Sequence, residues 1–348
     1  MITVDDLKHS PAWYPLEADH TVAQLVALDE CAYREASFLD QRLLRGKYAR
    51  ATVELPSLTA AAVQLQPRLH YVFHTGHVGS TLVSRLIGAQ ESYFSLREPS
   101  LLRAAAEPAQ VRPDTAAAPL PLRTTLALLA RTWRSSQRAV VKVTSFVSEL
   151  ADDILASSDQ PAAIFMFADP AAYIGGILIG PNSRAESRLL APARLGRLVK
   201  RLAPTQWRSD PRTEGEQVAM SWLCEMLALH VAAARRPAQV LWVNFDTFLA
   251  APLPGMQQIF HALGSDPPLR EIEALVSGPL MQQYSKAPEY AYDAARRREV
   301  LRSAAEEHSV EIRRGMGWLA RVATQHPPAQ RVLEFAERLR APPNTSGT

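Results

Sequence analysis

Residues 71–87, YVFHTGHVGSTLVSRLI, restrict the fold of this chain more than any other segment. An apolar run at 69–73 predicts a short strand. Residues 80–89, opened by small polar side chains, predict a helix. Gly76 and Gly79 lie between them, where the chain must turn tightly and let another group come close. The first free N–H groups of such a helix point at whatever sits before it, and the helix dipole favours an anion there. Ser80 and Thr81 add hydroxyl donors. A plain left-handed turn is the structural alternative, but two glycines followed by Ser-Thr favour a phosphate cradle. Aligned on Gly79, the lysine position of a nucleoside-triphosphate loop holds Ser80, which argues against ATP or GTP hydrolysis.

The chain after this segment alternates between apolar strands and helices. Strands are expected at 93–96, 139–143 (AVVKV), 162–167 (AAIFMF) and 239–245 (QVLWVNF). Helices are expected at 122–134, 146–155, from Asp169-Pro170 onward, at 214–234 and at 252–263. Residues 104–120 and 181–212 read as loops, the second with a short basic helix that could serve as a lid. Residues 1–68 read as helical and irregular, with helical spacing across 22–44. This pattern predicts a three-layer α/β/α domain at 69–340 with a central parallel sheet. A helical N-terminal extension, 1–68, would pack on it, and a disordered tail, 341–348, would follow. In such sheets ligands bind at the carboxyl ends of the strands. The candidate positions are therefore 74–81, 97–98, 142–145, 168–169 and 246–247.

Composition narrows the class. The chain has 348 residues, 47% hydrophobic and 21% charged, with net charge +3, so a wholesale nucleic-acid binder is not indicated. Cys31 and Cys224 form no CxxC or metal-ligand spacing, which suits a reducing compartment. The acidic N-terminus lacks the apolar core of a signal peptide, and no run reads as a membrane span, so a cytoplasmic protein is expected. Arginine far outnumbers lysine; of the five lysines, Lys142 stands out at the end of an apolar strand.

Several segments resemble the sulfotransferases. The run His77-Val78-Gly79-Ser80-Thr81 is similar to their R/K-S-G-T-T loop, and LVSRLI to the helix that follows it. SLREP (95–99), FMFADP (165–170), NFDTFLAAP (244–252) and RRGMGW (313–318) resemble, in order, that family's later segments. YSKAPEYAYD (284–293) is similar to endings of bacterial sulfotransferase-like proteins. The resemblance spans 69–318. It implies a P-loop-type fold and transfer of a sulfuryl group from PAPS, leaving PAP, without a required metal. It implies cofactor contacts at Gly76, His77, Val78, Gly79, Ser80 and Thr81, with Arg313 and Arg314 as candidates for the 3′-phosphate. The acceptor, a small molecule or carbohydrate, is not named by the sequence, nor is the oligomeric state.

The chain also departs from that pattern. The basic loop residue is His77, a weaker cation than lysine at pH 7. The positions that hold the 3′-phosphate in the family fall on Ala168 and Gly176, which have no side chain to do so; Arg184 and Arg188 are further candidates. Glu98 is the candidate base, with a pair to Arg97 or Arg103 as its bland alternative, and Lys142 the candidate cation, with a strand lysine snorkelling to the surface as its own. Asp246 reads as structural. Trp222, Met226 and His230 read as core, and Arg194, Arg197, Lys200, Arg201 and Arg208 as a solvated face. Two other functions stay open: a nucleotide-dependent phosphotransferase, and a non-catalytic anion- or nucleotide-binding protein.

Overall fold

The computed structural model describes residues 2–111, 120–202, 207–286 and 289–340. Residues 112–119 of the loop predicted at 104–120 and the tail predicted at 341–348 lie outside them.

The N-terminal region is not mainly helical. It forms a three-stranded antiparallel sheet from β1 (Trp13–Ala18), β2 (Val22–Ala27) and β3 (Arg50–Glu54), with helices before β1, between β2 and β3, and after β3. The segment expected to be one helix across 22–44 splits into β2, the helix Glu30–Glu35 and a 3-10 turn at Gln41–Arg45. The spacing of Val22, Leu25 and Val26 fits either period, and pairing with β1 and β3 decides for a strand. Buried Arg131 ties this region to the rest of the chain, donating to the carbonyls of Leu7, Ser10 and Trp13.

The main sheet follows the expected plan. Strands β4 (Leu69–His74), β5 (Tyr93–Arg97), β6 (Arg138–Lys142), β7 (Ala163–Phe167) and β8 (Val240–Asn244) are all parallel, in the order β5-β6-β4-β7-β8. Alternate residues serve opposite faces. Val72, Val140, Ile164 and Met166 join one apolar core, with the helices Ser80–Gly88 and Glu214–Arg235. Tyr71, Phe73, Val141 and Phe165 join another, which also takes in Tyr14 and Val26 of the N-terminal sheet. That alternation across a sheet covered on both sides defines three layers. β8, at the sheet edge, is only partly buried rather than fully buried as expected.

Two expected loops are helices. Ser100–Val111 covers much of the first, and Pro181–Leu202 covers most of the second, with Pro192 inside it. Arg194 and Arg197, read as solvated, are buried. Both pair with Glu225 on the neighbouring helix at 2.8 Å, so the burial of charge is met by an opposite charge. Glu214–Arg235 is long and apolar enough to meet a membrane-span criterion by length and composition, but it is largely buried inside the protein.

The backbone at Gly215 comes close to the helix Ser309–Gln325. A Cβ at Gly215 would stand 1.9 Å from the carbonyl oxygen of Glu311, which cannot give way as a side-chain tip can. The RRGMGW segment lies in that helix, and Gly315 packs back on Gly215. Gly215→Ala is expected to lower stability by about 2–3 kcal/mol. Urea denaturation would show this as a lower midpoint at unchanged slope.

Candidate active site

The loop after β4 is shaped by His74. Its Nε2–H donates to the carbonyl of Val143 at 2.9 Å, and its Nδ1 accepts the Gly76 N–H at 3.0 Å. Each partner has one role only, so the ring is a neutral Nε2–H tautomer. Burial holds its pKa well below the usual histidine value, and the charges of Lys142 and Lys286 push the same way. Gly76, His77 and Gly79 then take left-handed φ values of 103, 53 and 68°. Gly79 has no room for a side chain, because the Phe245 ring lies where its Cβ would go. His77 is not a glycine, so its conformation is strained and must be held by its surroundings.

This loop forms one wall of a cavity of about 310 Å³. The wall runs from His77 through Thr81, where the helix Ser80–Gly88 begins. The Thr81 hydroxyl oxygen is buried without a hydrogen-bond partner among the described residues. A buried hydroxyl left unmatched beside a row of helix-start N–H groups is suited to an anion. Opposite stand Gly176, Phe245, Tyr284, Tyr292 and Arg297.

Arg297 answers one of the two bare positions, Gly176. Its Nε donates to Asp246 at 2.9 Å and its Nη2 to the same carboxylate at 3.3 Å. A Cβ at Gly176 would stand 3.3 Å from its Nη1. A side chain at Gly176 would therefore crowd the guanidinium. Asp246, read from the sequence as orienting the loop or capping the next helix, instead pairs with Arg297, and Asn244 is the cap. Ala168 is buried and does not line the cavity; its carbonyl accepts from Trp222. Arg313 and Arg314 do not line it either. Both are exposed on the helix Ser309–Gln325, and Arg314 pairs with Glu311. Arg184 and Arg188 pair with Glu214.

A second cavity, of about 280 Å³, lies on the other side of His77. His77 and Lys286 line both cavities, so they form the partition between them. Glu98 faces the second cavity from just past β5, with φ 49°. Its amide donates to the Lys142 carbonyl at 2.7 Å, and Thr144 Oγ1 donates to its carboxylate at 3.4 Å. Two non-glycine residues in the left-handed region thus face one cavity, which is where strain is found at working sites.

Lys142 does not reach either cavity. It is fully buried and paired with Glu98, because the parallel register sets it beside Arg97 and directs it to the next residue. Burial lowers its pKa to about 8, with Glu98 resisting. It is a positioning residue for Glu98, neither the cleft cation nor the surface lysine that the sequence suggested. His77 is a poor cation as well. Burial lowers its pKa, with Glu186 opposing, and its Nε2–H donates to Glu186 at 3.1 Å. The hydrogen bond from His77 in turn holds Glu186 down, to about 2. The ammonium on the partition is Lys286.

Lys286, Arg297 and Glu186 were not singled out as site residues from the sequence, and His74 entered only as the first residue of the range 74–81. The first lies in the YSKAPEYAYD segment, which was the one available signal. Arg85 helps hold that segment, donating to the Ser285 carbonyl at 3.0 Å, and Ser37 donates to the Lys286 carbonyl at 3.3 Å.

No family model and no curated protein matches the chain. Among solved structures, it is similar to the sulfotransferase domain from the curacin biosynthetic pathway. Identity is 13% and the TM-score 0.45, over 79% of this chain and 99% of that one. It is similar to the sulfotransferase domain of the Synechococcus PCC 7002 olefin synthase, at 13% identity and TM-score 0.42, over 79% and 95%. A sulfotransferase from Mycobacterium avium follows at 12% identity and TM-score 0.37, over 72% and 79%.

Proposed function

We propose that this protein is an enzyme that transfers a sulfuryl group from PAPS to a hydroxyl or amine acceptor. The observation that carries the reading is the partition. An anion cradle lies on one side of His77 and Lys286, and a held carboxylate lies on the other. PAPS fits the first cavity by chemistry. The loop N–H groups and Thr81 suit the phosphosulfate end, Arg297 suits the 3′-phosphate, and the rings of Phe245, Tyr284 and Tyr292 suit a base.

PAPS supplies an activated sulfuryl group whose S–O bond to the 5′-phosphate breaks as the acceptor's bond to sulfur forms. Glu98 takes the acceptor proton. Lys142 pairs with Glu98 and holds its carboxylate in place beforehand. Lys286 offsets negative charge at the partition, where the hydroxyls and N–H groups of the cradle act with it. His77 contributes a neutral ring anchored by Glu186.

The triphosphate alternative has Ser80 where its lysine belongs. The non-catalytic alternative gives no reason for strain at both His77 and Glu98. Calorimetric titration with PAP, and separately with magnesium-ATP, decides among them. PAP is expected to bind and ATP to bind far less well. Arg297→Ala should weaken PAP by about 10–100-fold, the worth of charge-assisted hydrogen bonds. No heat with PAP at roughly millimolar ligand would overturn the reading.

A further inference from the structure

The segment that carries Lys286 folds back on itself. Gln283 bridges to Ala291 in antiparallel fashion, and the Tyr284 N–H donates to the Tyr290 carbonyl at 2.7 Å. The Tyr292 N–H donates to the Gln282 carbonyl at 3.0 Å. Tyr284 and Tyr292 line the first cavity, with ring centroids 5.6 Å apart. These backbone bonds tie the segment to itself. They do not by themselves place Lys286 against the cradle.

The tie to the cradle is Arg85, in the last turn of the helix Ser80–Gly88. Its Nε donates to the Ser285 carbonyl at 3.0 Å and its Nη1 to the Arg34 carbonyl at 3.1 Å. Its Nη2 donates to the Glu35 carbonyl and to Ser37 Oγ, each at 3.0 Å. Ser37 relays the connection, since its hydroxyl donates to the Lys286 carbonyl at 3.3 Å. Arg34 and Glu35 end the helix Glu30–Glu35, where carbonyls lack partners within the helix. Arg97 grips the same end, donating to the carbonyls of Tyr33, Arg34 and Ala36. The next residue, Phe38, has its ring centroid 5.7 Å from Lys286 Nζ, within reach of a cation–π contact. The stretch 34–38 thus meets Lys286 through Ser37 at its backbone and through Phe38 at its ammonium.

The four acceptors of Arg85 are carbonyls and a hydroxyl, none of them charged. What such a fork supplies is direction. Its N–H groups lie in one plane at fixed angles, so they set how three segments stand to one another, which a lysine's point charge cannot do.

We infer that Arg85 and Ser37 are positioning residues for Lys286, and that the N-terminal region completes the site by holding this ammonium on the partition. That region lies outside the stretch that resembles the sulfotransferases. The action of Lys286 on a sulfuryl group rests on the proposed function, but its placement by Arg85 and Ser37 does not.

The test uses the full chain, unaltered and as Arg85→Lys, Ser37→Ala, Ser37→Thr, Lys286→Ala, and Arg85→Lys with Lys286→Ala. Hydrogen–deuterium exchange is followed in the peptide that carries Ser285 and Lys286, and PAP is titrated calorimetrically. Exchange there should quicken about tenfold in Arg85→Lys and about threefold in Ser37→Ala. Ser37→Thr keeps the hydroxyl and should recover most of the protection. Arg85→Lys should weaken PAP about 3–10-fold in the unaltered background and hardly at all once Lys286→Ala is present, because it acts through Lys286. A role in stability alone would give the same factor in both backgrounds. That equality, or unchanged exchange in both Arg85→Lys and Ser37→Ala, would overturn the inference. Ser37→Ala keeps the exchange comparison decisive if Arg85→Lys fails to fold. If the unaltered protein does not bind PAP, the sulfuryl reading falls, and exchange still decides whether Arg85 and Ser37 hold Lys286.

Discussion

Glu98→Gln should slow sulfuryl transfer by about 100- to 10,000-fold, the usual share of a positioned general base. The substitution keeps the shape of the side chain and removes its capacity to take a proton. It also strips Lys142 of its counter-charge at a position with no solvent exposure. Breaking a buried pair by removing one partner costs about 3–5 kcal/mol. The single variant should therefore be both inactive and less stable. Pairing it with Lys142→Met removes the stranded charge, so stability should return while turnover does not. Chemical denaturation and steady-state rates on the same samples separate the two effects. Recovery of turnover in the double variant would show that Glu98 is only structural.

Lys286→Ala should lower kcat by about 100- to 1,000-fold, comparable to losing one donor aimed at developing charge. The reason is electrostatic. His77 stands at the loop position where the resemblance implies a fixed cation, and burial lowers its pKa against the pull of Glu186. Lys286 is the remaining ammonium on the partition. Lys286→Arg keeps the charge and should recover part of the rate. The loss is expected mainly in kcat, with a smaller change in KM, because the charge it meets grows in the transition state. An unchanged kcat in Lys286→Ala would remove it from the site.

The core of the fold and the cradle were legible in sequence for local reasons. Apolar β-branched runs, Gly76, Gly79 and the Ser80-Thr81 start all act within a few residues of each other. The N-terminal sheet was not legible, since β2 is a strand only by virtue of partners at β1 and β3. The helix Pro181–Leu202 was obscured by its arginines. Their acid partner, Glu225, is about thirty positions away and gives no local mark. The site divides in the same way. Glu98 and the loop could be read from their own neighbourhoods. Arg297 could not, because what defines it is the empty space over Gly176 and the carboxylate of Asp246, both distant in the chain. Lys142 was conspicuous but misread. Its prominence marked a buried pair whose other half lies on the adjacent strand's extension.

The partition of His77 and Lys286 carries one more consequence, for the order of events in time. Each of these side chains belongs to the walls of both cavities, so a molecule in either one completes the surface that the other molecule meets. Two such molecules would stand face to face across a layer one side chain deep. Under the proposed chemistry the group then crosses within a ternary complex, with no sulfated protein formed along the way. Double-reciprocal plots would converge rather than run parallel. The departing product would also leave behind a less finished surface for its companion, which couples the two departures.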